Sequence, residues 1–231
     1  MRERTSTPLG GKIWASLLMC GFIGQVAWIV ENMYFATFAQ DIFENSPDAN
    51  HLYYLVTTLM VVLSALTATV TTIFAGALTD KVGKRKPFIS IGYIVWGVTI
   101  MLFATIDVDA AADNSTLVIA LFVVFDCVMT LVGSTANDAA FNAWVTDVTD
   151  GTNRGKVNTI LSVMPVIATV AAIAIAMFTY DKGNYTAFFI ILGVIPIAAG
   201  VVSIFLVKDA PGIVRSDMRT AKDVFYGFRP S

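Results

Sequence analysis

The chain has 231 residues, 56% of them hydrophobic and 14% charged, with a mean hydropathy of +0.72 and a formal net charge of −2. Soluble domains carry about 25% charged residues, so this apolar content excludes an ordinary soluble globule and makes lipid the natural solvent. The net charge itself says little, and no nucleic-acid partner is expected.

The N-terminal stretch MRERTSTPLGGK is polar and basic. It leads into an apolar run too long for the h-region of a signal peptide, so no cleaved leader is expected. Six segments are then long enough to cross a bilayer of about 30 Å. They lie near residues 12–40, 52–79, 88–106, 116–146, 157–179 and 185–207. They are read as helices, because open sheet edges do not survive in lipid and no alternating ten-residue pattern suggests a barrel. The expected division is a short N-terminal segment (1–11), a six-span bundle (12–207) and the start of a linker (208–231). Cys20 and Cys127 fall inside apolar runs and are expected as buried small hydrophobes rather than a disulfide or a metal pair.

Orientation follows from the basic residues. Arg2, Arg4 and Lys12 precede span 1; Lys81, Lys84, Arg85 and Lys86 lie between spans 2 and 3; Arg154 and Lys156 lie between spans 4 and 5. Lys208, Arg215, Arg219, Lys222 and Arg229 follow span 6. That places 14 of the 15 Lys and Arg on one side, with Lys182 alone on the other. The opposite loops carry Asp41, Glu44, Asp48, Asp107, Asp109, Asp113 and Asp181. Both termini are therefore expected in the cytoplasm, and the protein in the plasma membrane.

Ionisable groups at bilayer depth are expensive and are functional candidates by default. Span 1 carries Glu31, with Trp28 and Phe35 within one turn and Gln25 and Asn32 nearby. Span 2 presents Thr57, Thr58, Ser64, Thr67, Thr69, Thr71 and Thr72 as a packing or cavity-lining surface. His51, the single histidine, is expected in a solvated position at its mouth. Trp14 and Trp96 read as lipid-facing or core residues. Span 4 carries Asp126 and Asp138. In an unbroken helix of about 3.6 residues per turn, Asp126 and Asn137 share a face with Thr130 and Gly133. Asp138 and Asn142, four apart, share another. An aromatic ring beside carboxylates and amides suits a sugar, whose apolar face stacks while its hydroxyls are bonded. Each acid has an alternative role as structural glue between helices, and Asp126 leans that way. Pro165 and Pro196 are expected to kink spans 5 and 6.

Between spans 2 and 3 runs GALTDKVGKRK, residues 76–86. It combines Gly76, Asp80 at a helix C-terminus, the turn residue Gly83 and the basic run Lys84, Arg85 and Lys86. An acid at a helix C-terminus opposes the macrodipole and needs compensating cations or another helix's N-terminus. This stretch resembles the loop between the second and third spans of major facilitator superfamily transporters, roughly G-x-L-x-D-x-x-G-R-[RK]-[RK], with Lys84 in place of the usual arginine. In that superfamily the acid is thought to hold the two halves closed at the cytoplasmic face.

Within the superfamily the chain looks like the glycoside–pentoside–hexuronide:cation symporters, the group of the melibiose carrier. The stretches that carry this are GQVAWIVENMYFATFAQDIF (24–43), DKVGKRKPFI (80–89) and NDAAFNAWVTDVTDGTNRGKVN (137–158). The resemblance implies a sugar- and cation-binding acid at Asp138, a sugar-binding position near Gln25 and a loop basic residue at Arg154. It departs in span 2, where Ala68 and Thr72 stand in place of two family acids. Sodium, a proton or uncoupled facilitation therefore remain open.

The resemblance implies the N-terminal six-span half of an all-α, twelve-span transporter, with substrate held between halves. Residues 213–226 read as a possible amphipathic piece of the inter-half linker. The expected function is secondary active transport, with a sugar or glycoside moved together with H+ or Na+ by alternating access. Glu31, Gln25, Asn32 and Trp28, with Asp138 and Asn142, would line one cavity wall, and Asp126 and Asn137 extend the polar pathway. The alternative is a half-size protein acting as a homodimer or as a binding or regulatory protein. No GxSxG turn, HExxH pattern or intramembrane histidine suggests an enzyme, and neither a metal site nor a cofactor is expected.

Overall fold

The computed structural model describes residues 8–44, 49–106, 114–180 and 185–210. Among them there is no strand, and six helical stretches are long and apolar enough to span a membrane. These are span 1 (Gly11–Phe43), span 2 (His51–Val82), span 3 (Lys86–Thr105), span 4 (Ser115–Val148), span 5 (Arg154–Thr179) and span 6 (Thr186–Leu206). The all-helical fold expected from the sequence is the one observed. The proposed amphipathic piece at 213–226 lies outside the described residues.

Spans 3 and 6 pack most extensively against each other, span 1 lies against spans 5 and 6, and span 4 joins spans 2 and 3. The close approach of spans 3 and 6 depends on small residues. A Cβ on Gly97 would collide with the Gly193 carbonyl, and one on Gly193 with the Gly97 carbonyl and Met101. Such contacts carry helix association in lipid, where water supplies no hydrophobic drive between helices. Ser203 donates across the same seam to Ser90 Oγ at 2.6 Å. Trp96 is fully buried, and Trp14 is half-buried beneath Lys156 Nζ, 5.6 Å from its ring centre.

Two spans are not continuous α-helices. Span 1 passes through a π-helical segment at Val30–Tyr34, and span 4 through another at Ser134–Phe141. Wider π turns occur mostly as local bulges, frequently at functional positions. Spans 5 and 6 continue as helices through Pro165 and Pro196.

The two ends of the bundle are fastened differently. At the end where spans 1, 3 and 5 finish, Phe35, Phe38, Phe103, Phe122, Phe188 and Phe189 are all buried and in mutual ring contact. Beside them Asp41 Oδ2 accepts from Tyr185 at 2.8 Å and from Tyr180 at 3.0 Å. Burial and the Asp41 carboxylate push the Tyr180 phenol well up, so it stays protonated and remains a donor. His51 is exposed where span 2 begins, as expected. Cys20 and Cys127 are both free.

Candidate functional site

The polar residues of spans 1 and 4 sort into two separate cavities. The first, about 90 Å³, is lined by Glu31, Asn32, Phe35, Ala36, Thr57, Met60, Val61, Ser64 and Asp126. The second, about 140 Å³, is lined by Gly21, Gln25, Trp28, Asn137, Asp138, Phe141, Asn142 and Leu161. The single wall expected from Gln25, Trp28, Glu31, Asn32, Asp138 and Asn142 is thus divided. Glu31 and Asn32 go to one cavity, the other four to its neighbour.

The π segments coincide with this division. Glu31 and Asn32 lie within the first segment, and Asn137 and Asp138 within the second. Widened turns change the direction in which every following side chain points. Asp126 and Asn137, eleven residues apart along span 4, line different cavities.

In the first cavity, Thr130 Oγ1 donates to Glu31 Oε1 at 3.2 Å. Glu31 Oε2 and both Asp126 carboxylate oxygens are buried without a hydrogen-bond partner among the described residues. Asp126 is 1% exposed. Sequence reasoning leaned to glue for this acid. Glue requires a donor on a neighbouring helix, and among the described residues none bonds the Asp126 carboxylate. The hydroxyls of Thr57 and Ser64 bring span 2 into the lining, the cavity-facing use foreseen for its Thr and Ser residues.

The second cavity is built on a buried relay. The Tyr93 hydroxyl lies 2.7 Å from the Cys20 carbonyl and 2.9 Å from Asn137 Oδ1, acceptors it can serve in turn. This orients the Asn137 amide so that its Nδ2 points to Asp138 Oδ1, at 3.4 Å. Trp28 packs edge-on to Trp96, ring centres 5.0 Å apart, which fixes its indole at the cavity wall. The result is a polar floor beside an aromatic side. Tyr93 was not foreseen, because its role depends on its hydroxyl on span 3 reaching spans 1 and 4.

The loop motif forms a third, separate group. Gly83 has a φ of 67°, the left-handed conformation expected for a turn glycine. The turn folds Arg85 back so that it pairs with Asp80, donates to Asp147 Oδ2 at 3.0 Å and reaches Thr79 Oγ1 at 2.7 Å. Burial disfavours the guanidinium charge, but the hydrogen bonds and charges of Asp80 and Asp147 outweigh it and raise the Arg85 pKa. Asp80 thus receives the compensation that its position at a helix end demands. Lys84 is exposed and Lys86 half-buried; among the described residues Arg85 makes both ion pairs. Gly76 has open space where a Cβ would stand.

Two acids that the motif does not contain complete the group. Asp147 comes from the end of span 4. Asp209 Oδ1 accepts from the backbone N–H groups of Arg85 and Lys86, at 2.7 and 2.9 Å, and so caps the start of span 3. Beside it Trp144 Nε1 donates to the Lys208 carbonyl at 2.8 Å. Arg154 stands apart from this group. It donates to the carbonyls of Thr146 and Thr149, at 3.0 and 3.1 Å, closing the C-terminus of span 4.

Six apolar spans define an integral membrane protein, with two polar cavities along spans 1 and 4. A family model described as Major Facilitator Superfamily matches residues 13–225. The chain belongs to that superfamily, whose members are transporters rather than enzymes. No curated protein and no solved structure matches the chain.

Proposed function

We propose that the chain forms one six-span half of a secondary transporter that moves a sugar or glycoside together with a cation by alternating access. The observation that carries this is the second cavity. Gln25, Asn137, Asp138 and Asn142 offer carboxylate and amide groups to hydroxyls, and Trp28 offers a ring on which the apolar face of a pyranose stacks. The cytoplasmic side is assigned to the end that holds Lys84, Arg85 and Lys86, on the distribution of basic residues. There the Arg85 group would act as a latch that opens and closes with the transport cycle. Spans 2 and 5 leave broad apolar faces, among them Val62, Leu66, Val70, Val166, Ile167 and Val170. These faces fit lipid or a second six-span bundle, either a C-terminal half or another copy of this chain.

The test is uptake of labelled hexoses, pentoses and glycosides by the complete transporter in proteoliposomes, under imposed Na+ and H+ gradients. Asp138→Asn should abolish accumulation against a gradient while the protein still inserts and folds. Unchanged accumulation would return Asp138 to a structural role. Absence of uptake or competition by any sugar in the wild-type protein would remove the sugar reading. Oligomeric state in mild detergent separates the homodimer from a two-half chain.

A further inference from the structure

We infer that the seam of spans 3 and 4 binds an anionic phospholipid of the cytoplasmic leaflet, with one acyl chain in an apolar groove and the headgroup on Lys84 and Lys86. The groove has a volume of about 410 Å³, larger than either polar cavity. Pro87, Phe88, Ile91 and Val95 of span 3 form one wall, and Leu131 and Thr135 of span 4 the other. Its floor is set by Gly92, which lets the backbone of span 3 come down onto span 4; a Cβ there would stand 2.5 Å from the Ala136 Cβ. Thr135 carries the single hydroxyl among the lining side chains, and its Oγ1 donates within its own helix to the Leu131 carbonyl at 2.8 Å. Water in the groove would find few partners, and apolar cavities of this kind stay dry. Ile91 is 61% and Leu131 49% exposed, so the walls open toward the membrane.

Length and charge select the occupant. Lys86 opens span 3 and Pro87 follows it, so the groove starts at the level of the basic turn. From Pro87 to Val95 a helix rises about 12 Å, at about 1.5 Å per residue. One leaflet's share of a hydrocarbon core of about 30 Å is about 15 Å. The groove thus runs from the headgroup level toward the midplane, the reach of one acyl chain. The cations at its mouth have no protein counter-charge. Arg85 is committed to Asp80 and Asp147, and among the described residues neither Lys84 nor Lys86 takes part in an ion pair. Asp209, the other acid at this turn, accepts from the backbone N–H groups of Arg85 and Lys86. Lys84 is exposed and Lys86 half-buried, and a lysine stem lies along apolar surface while its ammonium reaches the interface. Basic residues just cytoplasmic of a span attract anionic lipids. A zwitterionic lipid could fill the groove, but its phosphate already carries a positive partner. A second six-span bundle is better served by the broad apolar faces of spans 2 and 5 than by a cleft with charge at one end.

The groove and the second cavity share one stretch of backbone. The π segment of span 4 gives Thr135 to the groove and Asn137 and Asp138 to the cavity. A bound chain therefore packs against the turn that carries the proposed substrate groups. The inference takes from the proposed function only which leaflet is cytoplasmic. Its geometry and charge are the same whatever the solute is.

The experiment titrates the complete purified transporter in detergent with dioleoyl phosphatidylglycerol or dioleoyl phosphatidylcholine and counts retained lipid by native mass spectrometry. The wild type should retain phosphatidylglycerol at least about tenfold more tightly. Lys84→Gln and Lys86→Gln should each weaken phosphatidylglycerol about fivefold and phosphatidylcholine little. Ile91→Trp fills the groove from its membrane-facing wall and should weaken both lipids several-fold. A phosphatidylglycerol with a photoreactive diazirine in its acyl chain should label residues 87–95 and 131–135. Size-exclusion behaviour and helical content report folding, and the lysine variants keep the test decisive should Ile91→Trp misfold. Equal retention of the two lipids by the wild type overturns the site. So does equal weakening by Lys12→Gln, a cation of the same membrane face placed before span 1, because the attraction is then diffuse. Labelling confined to other spans, or wild-type retention in a folded Ile91→Trp, overturns the groove as the seat of the chain. A dimer broken by Ile91→Trp, with no lipid preference, assigns the groove to a second copy and overturns the lipid. Loss of the lipid preference in a protein that still takes up sugar leaves the transport reading standing, and lipid preference without sugar uptake does the reverse.

Discussion

Arg85 shows how one side chain can organise a membrane-surface turn. Its guanidinium meets carboxylates from span 2 and span 4 and a buried hydroxyl, and its backbone N–H is bonded by Asp209. Arg85→Gln would leave Asp80 and Asp147 without their cation. Hydrogen bonds to charged groups are worth about 1.5–3 kcal/mol each when well buried. Because Asp80 is 44% exposed and Asp147 23%, water would recover part of that, and a loss near the lower end is expected. A lower denaturation midpoint in detergent, matched by Asp147→Asn and not by Lys84→Gln, would check it; equal effects of all three variants would contradict the geometry. At this scale the sequence was readable where the chemistry is local. Glu31, Asp138, Asp80 and Gly83 stand out because an acid in lipid or a glycine in a basic turn has few explanations. Asp147, Asp209 and Tyr93 were not readable. Each acts on a residue far along the chain, and nothing in its own neighbourhood marks it.

Among elements, the helices themselves were legible from apolar length alone, and their internal departures were not. The π segments at Val30–Tyr34 and Ser134–Phe141 leave no mark in apolar length. An ideal-helix projection puts Asp126 and Asn137 on one face, and the single wall expected from Glu31 and Asp138 is divided between two cavities. The pairing of spans 3 and 6 carries its own prediction. Gly193→Leu would drive a side chain into the Gly97 carbonyl and Met101. Overpacking of this kind costs about 1–3 kcal/mol, and more when backbone is the obstacle. The variant should show poor folding yield and a lowered thermal midpoint. Gly76→Leu, placed in open space, should leave the isolated bundle's stability near wild type.

For the whole molecule, the positive-inside assignment predicts a simple labelling result. In a cysteine-free background, Lys84→Cys should react with a membrane-impermeant maleimide only after cells are permeabilised, and His51→Cys should react in intact cells. The reverse pattern would invert the topology. The contrast between the two ends has a further consequence for solution behaviour. Ring contacts between aromatic side chains, each worth about 0.5–1.5 kcal/mol beyond burial, are indifferent to electrolyte. The Arg85 end is held by charge, and partly exposed charges interact less as the Debye length falls from about 10 Å at 0.1 M salt to about 3 Å at 1 M. Concentrated salt should therefore act as a one-sided solvent for this bundle. It loosens the Arg85 end and spares the phenylalanine end, so that ionic strength alone biases which end of the helices splays first.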